Sequence, residues 1–155
     1  MSVAGARVEE AYRHHHVRLW RALLSYCGGD SNVASDAESE AFTQALRRGD
    51  AIDDVGAWVW RSAFRIADGM LQRRGRRAPV AASEHDVDDS LAEFLALLGN
   101  LSAQQRQCIV MRYVGGHTPS EIAGILGTTP GTVRVQLHRA HAQLRTELTS
   151  EGGRP

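Results

Sequence analysis

Residues 117–148, HTPSEIAGILGTTPGTVRVQLHRAHAQLRTEL, constrain the fold more than any other stretch. Two helix-start signals stand one after the other with a glycine between them. Thr118 is placed to cap, Pro119 takes a first helical position where a missing N–H costs nothing, and Glu121 completes a capping box. Thr129 and Pro130 repeat the pair, and Gly127 supplies the left-handed turn that stops the first helix. The spacing of Val133, Leu137, Ala140, Leu144 and Leu148 predicts the buried stripe of the second helix. A short capped helix, a tight glycine turn and a second capped helix make a helix-turn-helix. In that geometry the amino end of the second helix enters the DNA major groove. It leaves Thr129, Gly131, Thr132, Arg134, Gln136, His138 and Arg139 for base edges and phosphates. The positive end of the helix faces the phosphate backbone at Thr129 and Gly131.

Elsewhere apolar residues recur near every 3.6 positions and nowhere alternate with period two, so the expected fold class is all-α. A first helix is expected over about 7–27, with Val8, Tyr12, Leu19, Leu23 and Cys27 on one face and Gly28-Gly29 as its stop. A second begins at the capping residues Asp30 to Asn32 and ends at Gly49. A third runs from Asp53-Asp54 to about Arg74, with Trp60 and Phe64 on an apolar stripe. Leu91, Phe94, Leu95 and Leu98 form a further stripe closed by Gly99, and Ser102 with Gln105 opens a helix through a capping box. Residues 75–88 have no period and carry Gly, Pro and small polar residues, the composition of a linker. The expected organisation is two small helical domains, 1–77 and 89–149, joined by a flexible linker at 78–88, the second a helix-turn-helix, with a tail at 150–155. Each domain alone would bury only about 60% of its chain surface.

At 155 residues, 43% hydrophobic and 23% charged, the chain has a globular composition. No apolar run approaches the ~20 residues of a membrane span, so no membrane insertion and a cytoplasmic location are expected. Formal net charge is zero but unevenly laid out. Residues 57–77 carry six arginines against one acid (+5), and 131–155 four against two (+2). Residues 31–56 carry two arginines against six acids (−4), and 78–100 five acids and no arginine (−5). Such blocks suit a protein that offers one surface to a basic partner and others to phosphate, with weak DNA binding by the free chain.

The stretch from Leu101 onward resembles the C-terminal domain of bacterial sigma factors, in particular the extracytoplasmic-function (ECF) group of the sigma-70 family. Leu101, Arg106, Arg112-Tyr113, Glu121-Ile122-Ala123, Leu126-Gly127, Gly131-Thr132-Val133-Arg134 and Leu137-His138-Arg139-Ala140 carry the likeness. The first half continues it. Segment 34–48, ASDAESEAFTQALRR, is similar to the sigma segment that docks on the clamp helices of RNA polymerase core enzyme, with Asp36, Glu40 and Phe42 on the recurring acidic, acidic and aromatic positions. Segment 57–77, AWVWRSAFRIADGMLQRRGRR, resembles the element that melts and captures the −10 promoter region. There aromatic faces stack exposed bases and arginines hold the backbone. The resemblance gives this role to Trp58, Arg61 and the arginine-rich tail with Arg73 and Arg74, and Arg65 is expected to share it because it lies on the same helical stripe as Arg61. Arg65, Gly69 and Ser39 stand where the family commonly has Asn, Asp or Ser, and Gln.

The resemblance implies a transcription-initiation subunit that reads promoter DNA at −35 and −10, with an anti-sigma factor as further partner. Two alternatives are a stand-alone LuxR-like regulator, whose first half would dimerise or sense, and a sigma-like protein that sequesters a partner. Enzymatic activity is not expected, and no catalytic residue, cofactor or metal site is assigned. Consecutive helix residues point about 100° apart, so His14-His15-His16 cannot converge on one ion. Cys108 lies in the apolar run Cys-Ile-Val, the pattern of a core thiol rather than a nucleophile.

Overall fold

The computed structural model describes residues 2–75 and 89–152, and all regular elements among them are helical. The expected linker at 78–88 lies outside the described residues. The helices are α1 (Val3–Tyr26), α2 (Ser31–Arg48), α3 (Val55–Arg74), α4 (Asp89–Gly99), α5 (Ala103–Tyr113), α6 (Pro119–Leu126) and α7 (Pro130–Gly152), with a 3-10 turn at Gly49–Ala51.

The boundaries follow local chemistry. Asp30 accepts the Asn32 and Val33 N–H groups at 3.1 Å, and Asp54 accepts that of Ala57 at 3.0 Å. Both expected capping boxes are formed, Ser102 with Gln105 and Thr118 with Glu121. α1 starts earlier than the apolar spacing predicts because the Ser2 hydroxyl accepts the Gly5 N–H at 3.0 Å.

In the first half, α2 lies against both α1 and α3 through Ala34, Ala37, Ala41 and Ala45, all fully buried. Small side chains there let three helix axes draw close. In the second half, Val110, Met111, Ile122, Val133 and Ala140 close the core between α5, α6 and α7. Several expected core positions lie outside it. Tyr12 is 43% exposed, Leu91 46%, Phe94 43% and Leu148 56%. Tyr12 stands at the edge of the α1–α2 groove beside Phe42, and α7 continues past the core that its first turns cover, so period alone overcounts the buried stripe.

The two halves share a seam, in which Trp60 of α3 is fully buried. Its indole N–H donates to His15 Nδ1 of α1 at 3.1 Å, and its ring meets His117 edge-on with centroids 4.4 Å apart. A Cβ added at Gly115 would stand 2.9 Å from this indole and 2.8 Å from the Met111 carbonyl oxygen, so the approach demands glycine. Beside it, Tyr26 donates its hydroxyl to Asp68 Oδ1 at 2.8 Å, and the Arg106 guanidinium of α5 covers its ring at 4.4 Å. Burial, reinforced by the Asp68 hydrogen bond, pushes the Tyr26 phenol up to about 12. Leu95 of α4 reaches Gly29, and Arg18 reaches Gly116.

Burial disfavours the charged form of both seam histidines. Burial lowers the pKa of His15, helped by the nearby His14, Arg18 and His117 and opposed by Asp54. Burial also lowers that of His117, whose Nε2 is enclosed without a partner, against the opposing pull of Glu121. Because His15 Nδ1 accepts the indole proton, protonating it would remove that acceptor.

Replacing Trp60 with Ala is expected to lower unfolding free energy by about 3–5 kcal/mol, read by urea denaturation. A loss under ~1 kcal/mol would mean the seam carries no stability. Below about pH 6.5 the unfolded chain takes up protons that the folded seam refuses, so stability present above that pH is lost as pH falls through it. Thermal melts at pH 7.5, 6.5 and 5.5 are expected to show this decline, flattened in the double variant His15→Gln/His117→Gln. Parallel slopes in both proteins would assign the decline to other groups.

Candidate nucleic-acid interface

α6 and α7 meet as the capping signals require. Gly127 has φ 70° and ψ 37°, the left-handed turn between them. Thr129 caps α7, accepting the Thr132 N–H at 3.2 Å, and the two hydroxyls bond to each other at 2.9 Å. Val133, Leu137 and Ala140 turn inward, while Gly131, Arg134, His138 and Arg139 are exposed. Gln136 is half-buried and donates to Gln104 Oε1 of α5 at 3.2 Å, so one of its amide donors is engaged within the protein. Val135, absent from the residues expected on this face, is 47% exposed among them. Sorting by polarity hides it, although its distance from the buried stripe was readable on a helical wheel. The Tyr113 hydroxyl meets His141 Nε2 at 2.8 Å.

The basic residues of α3 occupy different environments. Arg61 and Arg65 are exposed, but the Arg61 guanidinium rests on the helix-turn-helix turn, 3.3 Å from where a Gly127 Cβ would stand. Arg73 is exposed, and Arg74 is ion-paired with Asp30, the cap of α2. Trp58 is half-buried with the Arg48 guanidinium 5.7 Å from its ring centroid. These groups lie along one helix rather than in a closed site.

On α2, Asp36 is exposed and Glu40 is half-buried, accepting the Gln44 amide at 3.0 Å. Both face Arg65 and Arg73 across a groove between α2 and α3 of about 670 Å³. Phe42 does not join them. It is 7% exposed with its ring edge-on to Tyr12 at 5.0 Å, so the expected aromatic anchor belongs to the core. Its neighbour Glu38 is also buried and pairs with His16 of α1, and burial raises its pKa. The period of α2 identifies the inward face, but the alanine-rich stripe gives no sign that a carboxylate shares it.

Among the described residues no cluster of His, Cys, Asp and Glu could hold a metal ion. His15 turns to Trp60 and His16 to Glu38. Cys27 and Cys108 are free and buried, and burial pushes their thiols up to about 12 and about 11. Among the described residues no helix is long and apolar enough to cross a membrane.

Residues 91–144 match the family described as Sigma-70, region 4. The ECF RNA polymerase sigma factor SigL of Mycobacterium tuberculosis is 30% identical over 97% of this chain and 97% of its own length. The ECF RNA polymerase sigma factor BldN of Streptomyces coelicolor is 29% identical over 83% of this chain and 55% of its own. Among solved structures, CnrH in complex with the cytosolic domain of CnrY superposes with a TM-score of 0.75 at 22% identity, covering 95% of each chain. The sigma factor RpoE bound to the anti-sigma factor NepR, from Bartonella quintana, superposes with a TM-score of 0.68 at 22% identity, over 91% of this chain and 98% of its own.

Gly127 answers two demands, a left-handed backbone and the nearness of Arg61. Gly127→Ala is expected to lower stability by about 1 kcal/mol in urea melts, and Gly127→Asn by less, because Asn tolerates that backbone. Equal losses for Ala and Asn would show that crowding by Arg61, not the turn, sets the cost.

Proposed function

The chain belongs to the ECF sigma factors of the sigma-70 family, and we propose that it directs core RNA polymerase to promoters by using its two halves on two DNA elements. The observation that carries this reading is the outward face of α7. Arg134, His138 and Arg139 are exposed on a helix whose opposite side is fixed into the helix-turn-helix core. Arginine's planar fork can take a guanine edge or a phosphate there, and His138 offers a further donor. Residues 89–149 then read the −35 element.

Residues 1–77 hold the polymerase clamp helices and the −10 strand. Asp36 and Glu40 offer a basic helix an acidic bank, and charges at such a rim give orientation and on-rate more than affinity. Trp58, Arg61, Arg65, Arg73 and Arg74 supply one aromatic face and the phosphate contacts for an opened strand. Arg61 lies against Gly127, so its use on DNA requires the halves to part at that edge. A tether between the halves gains from effective concentration once polymerase holds both. The protein works in the cytoplasm, as a binding subunit without catalysis of its own, and an anti-sigma factor regulates it by covering these surfaces.

Run-off transcription with purified core enzyme and a promoter library is expected to give discrete transcripts only when this protein is added. Arg134→Ala and Arg139→Ala are expected to weaken −35-dependent initiation by ~1–3 kcal/mol each where the contact is a bidentate base contact. Asp36→Arg with Glu40→Arg is expected to reduce affinity for core enzyme. Footprints without polymerase would favour a stand-alone regulator, and stable core binding without transcripts a sequestering protein.

A further inference from the structure

Two positions one turn apart on the exposed face of α7, Val135 and Gly131, are not explained by packing. Val135 is 47% exposed, and it lies on the side of the helix opposite the buried Val133, Leu137 and Ala140. A β-branched residue is a poorer helix former than alanine, and here it gains little packing in return. Gly131, one turn earlier, is just as unexplained. Its φ is not positive, and an added Cβ would find only Thr129 Oγ1, 3.9 Å away.

Helical side chains lean toward the amino end, over the residue four positions before. The Val135 isopropyl group therefore leans over a turn where Gly131 has no side chain to cover it. Together they form an apolar notch near the amino end of the helix. Its surroundings are polar: Thr132 and His138 stand three residues away on either side, and Arg139 four. The Thr132 hydroxyl is bonded to Thr129, and Gln136 gives an amide hydrogen to Gln104. Hydrogen-bonding capacity beside the notch is thus partly spent within the protein.

We infer that Val135 and Gly131 form a specificity pocket for the 5-methyl group of one thymine in the −35 element. In the major groove thymine is the base that presents a methyl group, and apolar side chains read it by contact. Arg134, His138 and Arg139 hold phosphates or purine edges around that contact, so the apolar pair adds discrimination and the arginines supply most of the attraction. This inference rests on the −35 reading proposed above.

The test uses reconstituted holoenzyme and duplexes that it selects from a library randomised over the −35 region. Selection is expected to return a fixed thymine at one position. Replacing that thymine by deoxyuridine removes only the methyl group. Binding by wild-type holoenzyme is expected to fall about fourfold, the equivalent of exposing one buried methyl. Holoenzyme carrying Val135→Ala is expected to bind both duplexes equally while still preferring the selected −35 region to a scrambled one. Helical content by circular dichroism checks that the variant folds. If wild type tolerates deoxyuridine at every thymine while scrambling still abolishes binding, the notch reads nothing and the inference is overturned. If scrambling has no effect and Arg134→Ala and Arg139→Ala bind as wild type does, the −35 reading itself fails.

Discussion

The buried indole of Trp60 fixes the arrangement of everything around it. It brings one polar atom into the seam, and His15 accepts its proton; His117 and Gly115 close over its ring. A large aromatic group contributes most when all its faces are covered, and here neither half covers it alone. Two modules that would each be marginal thereby share one buried cluster. The same seam sets the place of Arg61 on the Gly127 turn and leaves the outer face of α7 to solvent.

Charge is organised on the same scale. The acidic block of α2 and the basic block of α3 are separate along the chain, but in the fold Asp36 and Glu40 stand across a groove from Arg65 and Arg73. Each block therefore screens the other at short range, which suits the proposed use of these arginines within a larger assembly. Asp30 does a related job at the end of α3, capping α2 with one oxygen while pairing with Arg74 through the other.

Legibility followed the range of the interaction. Helix starts and stops were readable because a cap joins residues two or three apart, as at Thr118 with Glu121 and Asp54 with Ala57. The burial of Trp60 and Phe64 was readable from their stripe, but not that Trp60 would be shared with His117, 57 positions further along the chain. Phe42 and Tyr12 exchanged their expected places, since an amphipathic pattern says which face turns inward and not which neighbour stands over its edge. Of the residues expected to face DNA, Arg134, His138 and Arg139 are exposed as their residue types suggested, Gln136 is partly engaged with α5, and Val135 is exposed beside them.

By itself the sequence determined an all-helical chain with a helix-turn-helix at its end, because periodicity, caps and the Gly127 turn are local and nothing distant competes with them. Only the tertiary structure decided which of the polar and aromatic groups are free to meet a partner. Exposure is a property of pairs of elements far apart in sequence, and no spacing rule within one helix contains it.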